Sequence, residues 1–174
     1  MKRLVHTREI SMRTFDLGNH RILVEGNLAD HRCRPRRGKT PAGPEPVHNM
    51  VIRLKVRGPT MLIERAEAGM PHHPRKDCPD VLPSFRNLKG LEIAPGYTMK
   101  VKRLVGGVRG CAHLTSLVIA MGESAVQGYW AAYEAERGKK ALSEQTIRKF
   151  INTCHLWKED GPIIKKLREA PESK

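Results

Sequence analysis

The sequence predicts a single α+β domain in which a mostly antiparallel sheet from the N-terminal half is packed by C-terminal helices. Two observations carry this prediction. Apolar and mostly charged residues alternate between positions 50 and 57, which is the period of a β-strand. The stretch from Cys111 to Arg137 contains no proline and places apolar residues three and four apart, as an amphipathic helix does. With 174 residues and no internal repeat, the chain is expected to form one domain over 1–174.

Four segments of the N-terminal half are predicted to be strands. The clearest is 50–57, where Met50 begins the apolar row and the residues between are mostly basic. A turn with Gly58 and Pro59 follows, so that 61–68 can return as the second arm of a hairpin. The segment 20–30 is a further strand, and 9–15 is a weaker candidate.

Two loops interrupt this pattern. The segment 31–47 is rich in proline, glycine and basic residues, and is predicted to be a basic loop. The segment 69–79 contains three prolines and is predicted to be the second loop.

Helices are expected to dominate the C-terminal half. A short helical stretch near 80–88 precedes the glycine-rich segment 106–110, which leads into one long helix over about 111–137. Gly138 is suited to end that helix, and a further helix is predicted from Ser143 to about Thr153.

The charge of the chain indicates that it attracts anions. There are 32 Lys and Arg against 18 Asp and Glu, giving a net charge of +14 and a pI near 10.1. Nucleic acid, coenzyme A, nucleotides, polyphosphate and acidic proteins are all candidate partners. Aromatic residues make up only 5% of the chain, which leaves few rings for stacking bases, so an anionic small molecule is favoured over nucleic acid.

No segment is apolar over the roughly 20 residues that a membrane helix needs. The N-terminus also lacks the apolar stretch of a signal peptide. We therefore expect a cytoplasmic protein with no membrane partner. In such a compartment the four cysteines are expected to be thiols or metal ligands, because disulfides are rare there.

The segment Gly106 to His113 is the richest in chemistry. Glycines before a helix let backbone amides converge, so Gly106, Gly107, Arg109 and Gly110 are candidates to bind an anion. Cys111 and His113 are the candidate catalytic pair, as nucleophile and general base. The alternative is a tight strand-to-helix turn in which the Cys and His merely pack.

A metal site is the second hypothesis for the same side chains. Cys and His suit zinc or iron, and three or four of them brought together form a site. The candidate ligands are His48, Cys111, His113, Cys154 and His155. No Cys-x-x-Cys signature is present, and a buried thiol is the alternative fate of each cysteine.

The chain also resembles a family of bacterial proteins known as the domain of unknown function 2889, over roughly residues 8–170. The matching pieces are Val24-Glu25-Gly26-x-Leu28-x-Asp30, Gly43-Pro-Glu-Pro-Val-His48-Asn-Met50, Arg53-Leu54, Cys78-Pro79, Leu88-x-Gly90-Leu91, Gly106-Gly-x-x-Gly110-Cys111-x-His113-Leu114-Thr115, Gln127, Thr153-Cys154-His155-x-Trp157 and Asp160-Gly161. The resemblance implies that the motif Cys and His residues, Cys78 included, serve a shared metal or thiol site. Two positions depart from the family pattern: Asn49 stands where members tend to show Asp, and Ser116 where they tend to show Glu.

These observations favour a small enzyme that uses a Cys/His cluster, with zinc or iron as a possible cofactor, beside an anion-binding turn. Its substrate would be a phosphate-bearing small molecule such as a coenzyme A thioester. One alternative is a non-catalytic basic module that binds nucleic acid or an acidic protein through the basic run Arg32 to Lys39 and the exposed residues Arg53, Lys55 and Arg57. Another is a purely structural zinc site. The sequence predicts neither the reaction nor the oligomeric state.

Overall fold

The computed structural model of the chain describes residues 2–33, 43–137, 147–148 and 150–169. The chain divides into two compact units, Met1–Ala131 and Ala132–Lys174. That 1–174 forms one domain therefore stays a prediction.

The first unit contains a four-stranded sheet. Its strands are β1 (His6–Asp16), β2 (Arg21–Arg32), β3 (Glu45–Arg57) and β4 (Leu62–His72). They lie in the order β1-β2-β3-β4, and each pairs antiparallel with the next. The predicted antiparallel sheet is thus confirmed.

Both predicted loops have wrong boundaries. β2 continues through Arg32 and β3 begins at Glu45, so both ends of the predicted 31–47 loop are strand, while 34–42 lie outside the described residues. β4 runs on to His72, and a 3-10 helix starts at Cys78, so only 73–77 of the predicted 69–79 loop lie between elements. Backbone hydrogen bonds between neighbouring strands do not depend on the side chains. The pairing therefore continues into the polar and proline-containing ends of the strands, although their side-chain pattern is typical of loops.

The helices follow the sheet. They are a 3-10 helix (Cys78–Leu88), α1 (Tyr97–Val105), α2 (Ala112–Arg137) and α3 (Pro162–Glu169). The long predicted helix is confirmed as α2, whereas the sequence analysis did not identify α1. None of the described helices is long and apolar enough to cross a membrane.

The core of the first unit lies between one face of the sheet and α2. Alternate residues of β2 and β3 are buried there, together with apolar residues on one side of α2: Ile22, Val24, Leu28, Met50, Ile52, Leu54, Val56, Leu114, Leu117, Val118 and Met121. The helix comes close to β2 at Gly26, where an added Cβ would lie 2.6 Å from Met121 Sδ. A glycine at this point of β2 therefore lets the helix lie directly against the sheet.

The second unit includes α3. Of the helix predicted over 143–153, residues 143–146 lie outside the described residues, and so does Gly138; residues 147, 148 and 150 are helical and the chain turns from 151 onward. The Phe150 and Trp157 rings stack with centroids 4.9 Å apart. The Asn152 amide donates to the Trp157 carbonyl at 2.9 Å, which closes this turn.

Candidate metal centre

Asp30 is a buried carboxylate at the end of an apolar row. Alternate residues of β2 from Ile22 to Leu28 face the core, and Asp30 is the next residue on that face. It is only 2% exposed. Burying an ionised carboxylate costs several kcal/mol unless charged or hydrogen-bonding partners surround it. The partners of Asp30 therefore decide what this position does.

The register of the sheet supplies two of these partners. Arg8 of β1 and His48 of β3 each lie directly opposite Asp30, so all three side chains share one face. Arg8 donates from Nε to Oδ1 and from Nη2 to Oδ2, both at 2.7 Å. His48 Nδ1 lies 2.9 Å from Oδ2, and His6 Nε2 lies 3.4 Å from Oδ1.

His113 reaches the same carboxylate from the first turn of α2. Its Nε2 lies 3.8 Å from Asp30 Oδ2. Its ring lies beside that of His48, with centroids 4.0 Å apart and planes tilted by 34°. One ligand atom from each of Asp30, His48 and His113 lies within 4.8 Å of the other two. Three separate elements, β2, β3 and α2, thus converge on one point.

The electrostatics of this cluster follow from its contacts. The hydrogen bonds from Arg8 hold the pKa of Asp30 at about 2, helped by His48 and opposed by burial. Burial lowers the pKa of His113, and the charges of His48 and Arg8 lower it further against the attraction of Asp30. Asp30 is therefore ionised and His113 neutral near pH 7, which are the forms that coordinate metals.

The glycine-rich segment fixes where α2 begins. It joins α1 to α2, so the strand-to-helix turn considered as the alternative is wrong in that detail: the turn connects two helices. A Cβ on Gly110 would collide with the Val105 carbonyl oxygen, and Gly107 has a φ of 60° that favours glycine. The buried Thr115 hydroxyl donates to the same Val105 oxygen at 2.8 Å. This tight turn holds the start of α2, and hence His113, in place.

The four residues predicted to bind an anion form this turn. The amide of Gly106 donates to the Lys102 carbonyl at 3.0 Å. The amides of Arg109 and Gly110 donate to the carbonyls of Gly106 and Gly107 at 3.4 and 3.2 Å. These three amides are engaged within the protein, while the Arg109 side chain is exposed. Anion binding by Gly106, Gly107, Arg109 and Gly110 stays a prediction.

The predicted catalytic pair is in contact. Cys111 Sγ lies 3.5 Å from His113 Nδ1, whereas Nε2 of the same ring faces Asp30. The thiol therefore contacts His113 on the side away from Asp30 and is not one of the three converging donors. It is placed to accept a hydrogen bond from the His113 ring, as groups behind metal-binding histidines do.

The predicted metal ligands are thus only partly brought together. His48 and His113 meet, and Cys111 lies behind His113. Cys154 and His155 are exposed and belong to the second unit, so their part in the site stays a prediction. Cys78, implied by the resemblance, is half-buried at the start of the 3-10 helix.

The two positions that depart from the family pattern are both exposed. Asn49 follows His48 on β3 and, because strand residues alternate, points to the other face of the sheet. Ser116 lies three residues after His113 on α2, which places the two on neighbouring parts of the helix surface.

Asp30 was missed as a ligand, and so were its partners Arg8 and His6. Asp30 stood only among the residues of the family resemblance. The signal was present in the alternation of β2, since a charged residue occupies the next core-facing position after Leu28. An ionised side chain on the buried face of a strand points to a partner or a ligand.

This donor set is that of known metal sites. Two histidines and one carboxylate are found in catalytic zinc sites and in non-haem Fe(II) sites. In a tetrahedral site with bonds near 2.1 Å, ligand atoms are about 3.4 Å apart. The distances of 2.9 and 3.8 Å from Asp30 Oδ2 to the two histidines lie on either side of that spacing.

Comparison with known proteins gives one family. A family model described as "Protein of unknown function (DUF2889)" matches residues 6–127, a range that contains the three converging donors and Cys111. No curated protein and no solved structure matches the chain.

Proposed function

The chain belongs to the DUF2889 family, whose description states no function, and we propose that it is a small metal-dependent enzyme in which Asp30, His48 and His113 hold one zinc or iron ion. One observation carries the proposal: a carboxylate that is 2% exposed has two imidazoles close enough for all three to share an ion.

The number of donors favours a catalytic over a structural ion. Structural zinc sites are closed by four protein ligands, whereas catalytic sites use three and leave a position for water or substrate. His48 and His113 are 15% and 27% exposed, so the open side of the cluster is reachable from solvent. An ion bound there would supply Lewis acidity toward a substrate oxygen.

The surrounding residues have defined roles in this proposal. Arg8 on both oxygens keeps Asp30 ionised and oriented, and it would retain Oδ1 when Oδ2 turns to the ion. Cys111 would accept a hydrogen bond from Nδ1–H of His113, which leaves the Nε2 lone pair directed toward Asp30. His48 would exchange its contact with Oδ2 for the ion.

The proposed substrate is a phosphate-bearing small molecule such as a coenzyme A thioester. The net charge of +14 supports an anionic substrate, and Arg109 is exposed on the turn that precedes Cys111. In this proposal Cys111 has one of two roles: its thiol supports the ion by accepting a hydrogen bond from His113, or its thiolate attacks the thioester carbonyl and the thiolate of coenzyme A leaves.

Metal titration tests the proposal. Protein stripped with a chelator is titrated with Zn²⁺, and with Fe²⁺ under anaerobic conditions, by calorimetry. We expect one ion per chain, and at least a hundredfold loss of affinity in the His48→Ala, His113→Ala variant. The matched control is His72→Ala, His73→Ala, which removes two adjacent histidines at the end of β4. Absence of binding by the wild type, or an equal loss in the control, would contradict the proposal.

Circular dichroism of the metal-free protein separates the remaining hypothesis of a structural zinc. A catalytic ion leaves the fold standing when it is removed, whereas loss of a structural ion unfolds the chain. We expect the metal-free spectrum to retain its helical and sheet signal.

The competing proposal is a basic module that binds nucleic acid or an acidic protein. Arg53, Lys55 and Arg57 do lie on the open face of β3, as this proposal requires. However, Arg53 donates to Glu25 at 2.6 Å, and Arg57 to Glu64 at 3.0 Å, so two of these charges are already paired. A binding constant for RNA or DNA that falls steeply with salt would favour this alternative.

A further inference from the structure

We propose that the chain has a second ligand site, a basic cleft that binds a nucleoside diphosphate. The cleft lies between the sheet and the 3-10 helix Cys78–Leu88 and has a volume of about 780 Å³. This volume is within the range of small-molecule sites, roughly 300–1,000 Å³. The cleft shares no residue with the Asp30 cluster, so the proposal does not rest on the proposed metal centre.

The sheet side of the cleft carries charges that are already paired. Arg53 of β3 donates to Glu25 and lies opposite Glu67 of β4. Arg65 pairs with Glu67 along the same strand. These carboxylates hold the two guanidinium groups on the wall of the cleft, and Glu67 is the one carboxylate among the residues that line it.

The helix side carries two cations without counter-charges. Arg86 and Lys89 stand three residues apart at the end of the 3-10 helix, and the Lys89 amide donates to the Arg86 carbonyl at 3.1 Å. Arg86 lies in the last turn of the helix and Lys89 is the residue that caps it, and both line the cleft. Within the described part of the chain, neither side chain forms an ion pair or a hydrogen bond.

The chemistry of the cleft selects the ligand. Four cationic side chains line the cleft, but Arg53 and Arg65 are paired with Glu25 and Glu67. Arg86 and Lys89 are therefore the groups left to bind phosphate, and Arg with Lys is the usual combination for it. Between the charges the lining is apolar, with Ala68, Leu82 and Pro83, which suits the uncharged part of a nucleoside. No aromatic residue lines the cleft, so it offers no stacking platform for a chain of nucleic-acid bases.

Isothermal titration calorimetry with ADP tests the proposal. The titration is carried out in the presence of a chelator, so that no metal ion links the phosphates to the protein. We expect wild-type protein to bind one ADP per chain, and Arg86→Ala, Lys89→Ala to weaken binding at least tenfold. The matched control is Lys100→Ala, Arg103→Ala, which removes two exposed cations three residues apart on α1. We expect the control to change affinity less than twofold.

Three results would overturn the proposal. The first is that the wild type does not bind ADP. The second is that the cleft variant and the Lys100→Ala, Arg103→Ala control lose affinity equally. The third is that the His48→Ala, His113→Ala variant no longer binds ADP. The second would indicate general attraction by the basic surface, and the third would place the anion at the metal centre instead. If the first result is accompanied by binding of a 20-nucleotide RNA, the anion that the basic surface binds is nucleic acid and not a nucleoside diphosphate. Circular dichroism of each variant confirms that the fold is retained.

Discussion

Replacing Asp30 by Asn tests how the buried carboxylate contributes to stability. The substitution keeps the size of the side chain and removes the charge that Arg8 and His48 contact. The pKa of Asp30 falls from 3.8 to about 2 on folding. Each pKa unit corresponds to about 1.4 kcal/mol, so the ionised carboxylate stabilises the metal-free protein by about 2 kcal/mol at pH 7.

The sign of the pH dependence follows from the depressed pKa. The contribution is fully present above about pH 4 and is lost as the pH falls through about 2. By pH 3 the wild type has lost about 1 kcal/mol of it, whereas the amide that replaces the carboxylate does not titrate. The difference in unfolding free energy between wild type and Asp30→Asn should therefore shrink by about half between pH 7 and pH 3.

The difference in unfolding free energy is measured by urea denaturation in the presence of a chelator, with far-UV circular dichroism as the signal. Hydrogen exchange of the β2 and β3 amides reports the same quantity for the sheet itself. The control is Glu9→Gln on β1, an exposed carboxylate, for which we expect a change below about 0.5 kcal/mol. A difference that is equal at pH 7 and pH 3, or an Asp30→Asn protein as stable as wild type at pH 7, would refute the reasoning.

Three further predictions concern the turn before α2. Gly110→Ala should destabilise the protein by about 1–3 kcal/mol in urea denaturation, because the added Cβ would collide with the Val105 carbonyl oxygen. Gly69→Ala is the control, since the space around Gly69 is open. Equal destabilisation in the two variants would contradict the prediction. Thr115→Val should cost about 1–2 kcal/mol by leaving a buried carbonyl without its donor, and an unchanged melting temperature would count against that contact. Cys111→Ala should weaken metal binding about 10- to 100-fold, whereas Cys111→Ser should retain most of it, since a serine hydroxyl can also accept a hydrogen bond from Nδ1–H of His113. A loss in Cys111→Ser as large as in His113→Ala would make the thiol a ligand.

The sheet could be predicted because its signal is local. In β3 the alternation of apolar and polar residues is visible in eight consecutive positions, and that pattern alone defines a strand and its buried face. The ends of the strands could not be predicted in the same way, because pairing of His31 with Pro46 and of Arg32 with Glu45 depends on the neighbouring strand. Helix α1 buries Tyr97, Val101 and Val105 at a spacing of four, but four of the six residues between them are polar and hid this short pattern.

Only part of the candidate site could be predicted from the sequence, for a related reason. His48 and His113 are residue types that suggest ligands wherever they stand, so residue type alone identified them. Asp30 depends on register: it matters because Arg8 and His48 lie directly opposite it on the two adjacent strands. Position along the chain does not reveal register before the sheet is known, and the carboxylate that joins the two histidines therefore stayed hidden.

The burial of Asp30 is itself evidence that the cluster serves more than stability. A buried ion pair gains little over well-packed apolar residues of similar volume, because removing the charges from water offsets their attraction. We therefore expect Arg8→Met combined with Asp30→Leu to unfold within about 1 kcal/mol of the metal-free wild type. Arg8→Met alone should cost more, because it removes the bidentate partner of the buried carboxylate and leaves only its histidine contacts. Urea denaturation of the wild type, the two single variants and the double variant gives the coupling free energy between Arg8 and Asp30 as a double-mutant cycle. Zinc titration of the double variant should show no binding. If the double variant is itself less stable than the metal-free wild type by several kcal/mol, the pair is structural, and the buried carboxylate no longer argues for a ligand.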